Sequence, residues 1–265
     1  MLSKFGKASL KATRTHSLSR NLAAAAATDT LRKTPLHPNH IAMGAKTAAF
    51  GGWDMPIQYP DGIMKEHLHT RKSAGLFDVS HMLGVQIHGA DRVAFMESLC
   101  TADLENLPSG MGSLSVLTTA KGRSIDDCII TNAGDHLYLV INAGHEDKDL
   151  VHMDAHLKTW IGKGKDVAVQ SLPSNGILAL QGPKAAEVLQ TLTKTDVAQM
   201  GFMTAQPMEV AGLDCFVARS GYTGEDGFEI AVKPGSGATH GAVTVWETIL
   251  ASKVGDGVVA VGLGA

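Results

Sequence analysis

Residues 113–132 read SLSVLTTAKGRSIDDCIITN. Two apolar, partly β-branched runs flank the four residues AKGR, which is hairpin spacing. Further runs repeat the pattern: LGVQIHG (83–89), HLYLVINAG (136–144), DVAVQSL (166–172) and GILALQG (176–182). FMTAQPMEVAGLDCFVARS (202–220) supplies two more strands, and GYTGEDGFEIAVK (221–233) is a glycine-rich turn leading into another. Helical stretches stand between them. GIMKEHL opens residues 62–82 before Gly75 breaks it. ADRVAFMESLC (90–100) has helical spacing with Asp91 as N-cap, and HEDKDLVHMDAHLKTWI (145–161) is amphipathic. PKAAEVLQTL opens on Pro183, where a helix tolerates proline, and GAVTVWETILAS closes the series. Strands clustered in hairpins with helices between them argue for an α+β fold rather than a doubly wound parallel sheet.

Within the hairpin, SIDDCII places Asp126 and Asp127 side by side in apolar company, where an unpaired charge is costly. In a strand, neighbours point to opposite faces. Ile125, Asp127 and Ile129 therefore share one face, and Ser124, Asp126, Cys128 and Ile130 the other. The two carboxylates are not a like-charged dyad, and one of them must face whatever the apolar side covers. Alternatively, both lie near the hairpin end within reach of water or backbone N–H groups.

RSGYTGEDGFEI (219–230) is the second unusual stretch, with Gly221, Gly224 and Gly227 every three residues. This is not the dinucleotide glycine pattern, and it opens no helix, so a phosphate cradle is not indicated. Glycine at this density either lets backbone approach a ligand or makes a flexible hairpin. Glu229 alternates with apolar neighbours in FEIAV, so it and Phe228 face opposite ways.

Other chemistries find little support. Cys100, Cys128 and Cys215 are odd in number and form no CxxC, which implies neither a disulfide framework nor a cysteine zinc site. His67, His69 and His81 read as surface or packing residues without zinc-motif spacing. No metal site is expected. No apolar run approaches the roughly 18–20 residues of a membrane span. GSGATHG (235–241) reads as a loop.

The net charge of −3 conceals an asymmetry: residues 1–28 carry Lys4, Lys7, Lys11, Arg14 and Arg20 and no acid, leaving −8 on the remainder. A nucleic-acid footprint on the folded part is not expected. A serine-, threonine- and alanine-rich head with dispersed cations and no acids reads as a mitochondrial transit peptide, assigned here to residues 1–33, and places the protein in the matrix.

Taken in order, KTPLHPNH, FGGWDMPIQY, HLHTRKSAGLFDVSHM, DRVAFMESL, GRSIDDCIITN, HLYLVINAG, LALQGPKAAEVLQ, FMTAQPMEV and RSGYTGEDGFEI resemble the aminomethyltransferase (T-protein) family of the glycine cleavage system. The resemblance runs through 34–265. It implies an aminomethyltransferase-like folate-binding fold of two interleaved antiparallel-sheet domains. Residues 34–78 plus 165–265 would form the first, and 79–164, carrying the catalytic aspartate, the second. It further implies transfer of the methylene carbon of an aminomethyl group, held on the lipoyl arm of H-protein, to tetrahydrofolate with release of ammonia. Lipoylated H-protein is the expected partner, with no nucleic acid and no membrane. Asp127 matches the catalytic position, and Met82, Leu114, Val140, Asn142, Tyr222 and Glu229 match positions lining the folate pocket, with Glu229 on the pterin. Iron–sulfur assembly factors of the same superfamily carry a cysteine-containing segment where this chain has GYTGEDG, so a non-catalytic folate-binding or assembly role is the lesser alternative. In the family an arginine-bearing helix and a barrel domain follow GLGA, so the chain is expected to be a C-terminally truncated fragment, inactive alone.

Overall fold

A computed structural model describes residues 31–172, 176–233 and 238–265 of the chain. Residues 1–30 of the expected transit segment lie outside these. Residues 31–33, given to the same segment, belong instead to the folded body. Arg32 N–H donates to the Gly52 carbonyl (3.0 Å), and Asp54 N–H donates to the Arg32 carbonyl (2.8 Å). The Arg32 guanidinium lies 4.0 Å over the Trp53 ring and pairs with Glu146 at 2.6 Å.

Helix α1 (His37–Ala42) precedes a hairpin of β1 (Lys46–Phe50) and β2 (Trp53–Gln58). Its two-residue turn is Gly51-Gly52, with φ of +56° and +83°, the left-handed pair that such a tight hairpin needs and glycine supplies. Then come α2 (Ile63–Lys72), β3 (Ala74–Asp78), β4 (Leu83–His88), α3 (Arg92–Glu97), β5 (Gly112–Thr118), β6 (Ser124–Asn132), β7 (Leu137–Ile141) and α4 (Glu146–Gly162). The chain continues through β8 (Ala168–Leu172), β9 (Ile177–Gln181), α5 (Ala185–Gln190), β10 (Ala205–Val210), β11 (Leu213–Ala218), β12 (Gly227–Val232), α6 (Ala238–Leu250) and β13 (Val258–Val261). The fold is α+β.

Two local expectations change. Asp91 precedes α3 but makes no side-chain cap. Its carboxylate accepts instead from the Asp166 N–H (2.9 Å) and Lys165 Nζ (3.1 Å), tying the helix start to the segment before β8. The stretch GSGATHG is not all loop, because α6 begins at Ala238.

Larger elements form two main sheets. One has six strands in the order β10-β11-β12-β9-β3-β13, the other five in the order β5-β6-β7-β4-β8. All pairings are antiparallel except that of β13, which joins β3 in parallel and forms the edge of the sheet. The apolar tail GVVAVGLGA, without visible pairing signals, thus supplies a strand. Because β8 pairs with β4, the change of sheet falls between Leu172 and Ile177, later than residue 164.

Each sheet buries one face under helices. Phe228, Ile230, Leu178, Leu180 and Leu76 of the six-stranded sheet pack with Val188 and Leu189 of α5 and with Val245, Trp246 and Ile249 of α6. Leu83, Val85, Ile87, Cys128, Ile130, Leu139 and Ile141 of the five-stranded sheet pack with Phe95 and Met96 of α3 and Met153 of α4. Burying each such side chain contributes roughly 1.5–3 kcal/mol. The opposite faces turn toward one another, joined by a small cluster of Tyr138, Leu172, Ile177 and Ala231 with Val79, Val140 and Phe216 packed against it.

Candidate functional site

Where these inner faces meet there is a cavity lined from both sheets. Val140, Tyr138, Ile129, Thr131 and Gly112 come from the five-stranded sheet, and Glu229, Ala231, Phe216 and Ala218 from the six-stranded one. Met82, on the turn leading into β4, lies on the wall between them.

The alternation of β6 fixes the two aspartates. Asp126 is buried in line with Cys128 and Ile130, which belong to the core under α3 and α4. Asp127 is exposed on the other face, in line with Ile129 and Thr131, which line the cavity. The apolar side therefore covers Asp126, and Asp127 stands at the open edge. Burial opposes the charge of Asp126, but hydrogen bonds from His145, Asp149 and Asn142 outweigh it and hold the carboxyl below its ordinary range. His145 Nδ1 lies 2.7 Å from Asp126 Oδ1, and Asn142 Nδ2 donates to Oδ2 at 3.2 Å. The same Asn142 amide reaches the Asp127 carbonyl at 3.2 Å and its Oδ1 at 3.5 Å.

Glu229 comes from the opposite wall. Its strand neighbours Phe228 and Ile230 fill the core, so the pleat turns Glu229 inward to the cavity. Burial raises its pKa, partly offset by Ser220, whose hydroxyl donates to Oε2 at 2.7 Å. Tyr138 sits on the facing wall with its hydroxyl buried and, among the described residues, without a partner. Burial and the Glu229 charge push that phenol well above its ordinary range. Gly84, on the neighbouring strand, leaves room for it: a Cβ there would lie 3.0 Å from the hydroxyl.

A family model described as the GCVT N-terminal domain matches residues 36–265. The chain belongs to this family. It is 49% identical over 241 residues to a mitochondrial aminomethyltransferase of Dictyostelium discoideum, covering 89% of this chain and 59% of that one. It is 47% identical over 219 residues to the mitochondrial aminomethyltransferase of Mus musculus, covering 82% and 54%. The chain spans a little over half the length of these curated relatives. The crystal structure of the glycine cleavage system aminomethyltransferase T from Bartonella henselae superposes with a TM-score of 0.78 at 37% identity, covering 89% of this chain and 61% of that one. A chain of the heterotetrameric sarcosine oxidase from Corynebacterium sp. U-96, 18% identical with a TM-score of 0.50, shares the fold alone.

Within this GCVT domain the residues singled out in the sequence are distributed unevenly. Met82, Val140 and Glu229 line the cavity. Asn142 bridges the two aspartates. Leu114 is 69% exposed and does not line the cavity, although it pairs in register with Ile129, which does. Tyr222 is fully exposed on the loop before β12. That loop is packed closely against the sheet beneath it. It wraps the buried Gln181 side chain, which donates to the Ser220 carbonyl (3.0 Å) and accepts from the Thr223 hydroxyl (2.8 Å). A Cβ at Gly221 or Gly227 would collide with Gln181. Arg219 grips Asp226 through two bonds of 2.9 and 2.7 Å, closing the loop on itself.

Several contributors were not singled out. Tyr138 and Ser220 carry no distinguishing mark in the sequence, though alternation with Val140 places Tyr138 on the cavity face. His40 is buried between Asp78 (2.8 Å) and the Tyr59 hydroxyl (2.8 Å), locking the ends of β2 and β3 together. His152 and His156 do stand one helical turn apart on α4, with ring centroids 4.8 Å apart. Among the described residues, however, no cluster of three His, Cys, Asp or Glu is placed to hold a metal ion. Cys128 and Cys215 are buried free thiols whose pKa values burial pushes up to about 12, which leaves them inert.

Proposed function

We propose that this chain carries the folate-binding and one-carbon-transfer site of a glycine cleavage aminomethyltransferase. The observation that supports this reading above others is the pair of opposed carboxylates: Glu229 inside the cavity on one sheet and Asp127 at its edge on the other. Tetrahydrofolate is long, with a flat pterin bearing adjacent N–H donors at one end. Glu229 would accept those donors in a two-pronged, charge-assisted contact, and the apolar walls of Val140, Met82 and Phe216 would sandwich the ring.

The chemistry would occur at Asp127. The folate amine attacks the carbon of an aminomethyl group on the lipoyl arm of H-protein, and ammonia departs as that carbon gains iminium character. A carboxylate fixed beside this carbon stabilises the developing positive charge and orients the amine. Proton acceptance during ring closure is its second role. Ammonia, 5,10-methylenetetrahydrofolate and dihydrolipoyl H-protein result. Asn142, donating toward Asp127, would keep that carboxylate aimed across the site. Leu114 and Tyr222, both exposed, would contact the outer parts of the folate or the incoming lipoyl arm. The two sheets would act as two domains, the second carrying Asp127. The names of the relatives support a mitochondrial setting and favour the transferase over an assembly factor.

The test is ammonia release from aminomethyl-loaded H-protein by the protein as the cell makes it, with and without tetrahydrofolate. Release that requires both folate and Asp127 is expected. Release indifferent to either would overturn the reading.

A further inference from the structure

Behind Asp127, on the core side of β6, lies a group of side chains that the transfer reading leaves unused. Asp149, in the first turn of α4, is 0% exposed, and neither of its carboxylate oxygens has a hydrogen-bond donor among the described residues. A lone buried carboxylate is expensive, and such a group takes up a proton rather than remain charged and unpaired. It stands one helical turn beyond His145 on the same side of α4, and the His145 ring meets Asp126 at 2.7 Å, so the buried carboxyl is turned toward Asp126. Burial, the Asp126 hydrogen bond and the Asp126 charge together push the Asp149 carboxyl up to about 7, while Asp126 itself is held low. Two carboxyls turned toward one another in a buried place hold one proton between them rather than two charges.

We propose that Asp126 and Asp149 share a single proton and form a positioning pair, which acts through Asn142 to hold the Asp127 carboxylate in its working orientation. With one proton between them, Asp149 has an O–H to donate and Asp126 keeps one negative charge. That charge takes the His145 ring at 2.7 Å and one Asn142 N–H at 3.2 Å. Fixing one N–H of the amide aims the other at the backbone and side chain of Asp127. His145 is half exposed and gives the pair its outlet to water. The other charged groups around the pair are engaged elsewhere. Lys148 Nζ donates to the Ile125 carbonyl at 2.6 Å, and Glu146 is paired with Arg32 at 2.6 Å. Cys128, on the same strand face, is an uncharged thiol. Loss of the shared proton would put two negative charges in contact, so the pair would separate and release Asn142.

The effect on Asp127 rests on the proposed transfer function; the shared proton does not, and the measurements separate the two. Infrared difference spectra between acid and alkaline pH should show a protonated-carboxyl band in the wild-type chain that disappears in both Asp149→Asn and Asp126→Asn. The Asn142 side-chain amide, followed by nitrogen-edited NMR, should titrate near neutral pH in the wild type and stay flat in Asp149→Asn. Turnover by Asp149→Leu should fall on the order of 10²-fold with the KM for tetrahydrofolate unchanged, the effect of misplacing a working group by about an ångström. Absence of the carboxyl band, or an Asn142 amide that titrates identically in Asp149→Asn, overturns the pair whatever the activity. A band and an Asn142 response in a protein that performs no transfer sustain the pair and retire the reading of the site.

Discussion

Asp127 and Glu229 stand on the inner faces of different sheets, Glu229 in the cavity wall and Asp127 on the strand face that carries the lining Ile129 and Thr131, and their settings are opposite. Asp127 is exposed on β6 at the sheet's open edge, with one amide neighbour. Glu229 is enclosed between packed strands, pushed toward its neutral form by burial and held by a single serine hydroxyl. A charge at an open edge costs little and is free to meet charge that appears during a reaction. A charge in the enclosed wall is costly until a ligand supplies donors for it. Under the proposed function the first would carry transfer and the second recognition, and the contrast can be broken at either end.

The largest effect is expected at the edge. Asp127→Asn keeps shape and removes charge, so turnover should fall by about 10³-fold while the Kd for tetrahydrofolate barely moves, as is typical when one preorganised electrostatic contact to a transition state is removed. Equal losses in turnover and affinity would erase the division of labour. Next, Glu229→Gln should weaken tetrahydrofolate binding by roughly 10–100-fold, the loss expected when a hydrogen bond to a charged group is replaced by a neutral one. Turnover at saturating folate should change far less, and equilibrium titration alongside steady-state kinetics decides this.

A smaller effect concerns stability. Gly221→Ala forces a methyl into the Gln181 side chain and should cost about 1–3 kcal/mol in denaturant unfolding, since overpacking displaces a well-fitted neighbour. An unchanged midpoint would mean that the loop is looser than its contacts suggest. The smallest effect is a displacement along the pH axis. The Glu229 pKa is raised, and under the proposed function the ionised form would accept the pterin donors, so tetrahydrofolate binding should be lost on acidification through that raised pKa. Folding responds with the opposite sign, because the native state keeps a proton that the unfolded chain has released; this contribution is complete at low pH and fades as pH rises through the native value. Ser220→Ala removes the hydrogen bond that favours the charge, so the acid edge of binding should move to higher pH. An edge that stays put would remove Ser220 from the site.

Much of this contrast was legible in the chain. The period of two in SIDDCII and GFEIAV separates Asp126 from Asp127 and Glu229 from Phe228 before any contact is known. What alternation cannot say is which face lies inward, because that depends on α3 and α4 settling over Cys128 and Ile130. The glycines of RSGYTGEDG were visible but their reason was not, since Gln181 lies about forty positions away in sequence and meets them only when β9 and β12 pair. Leu114 and Tyr222 resemble pocket residues in sequence but stand exposed beside the cavity rather than along it. Asp149 lies in an ordinary acidic first turn, EDKD, with nothing to mark it as buried.

The sequence by itself determined the α+β class, the hairpin of β5 and β6, and the splitting of neighbouring carboxylates onto opposite faces. These follow from local rules of pleat, turn and helix period. Only the tertiary structure decided the order of strands in the two sheets, the parallel docking of β13 on β3, the side of β6 that is covered, and the burial of Asp149. Each of these depends on which surfaces find complementary partners across long stretches of chain, and that information is spread over many residues rather than written at any one of them.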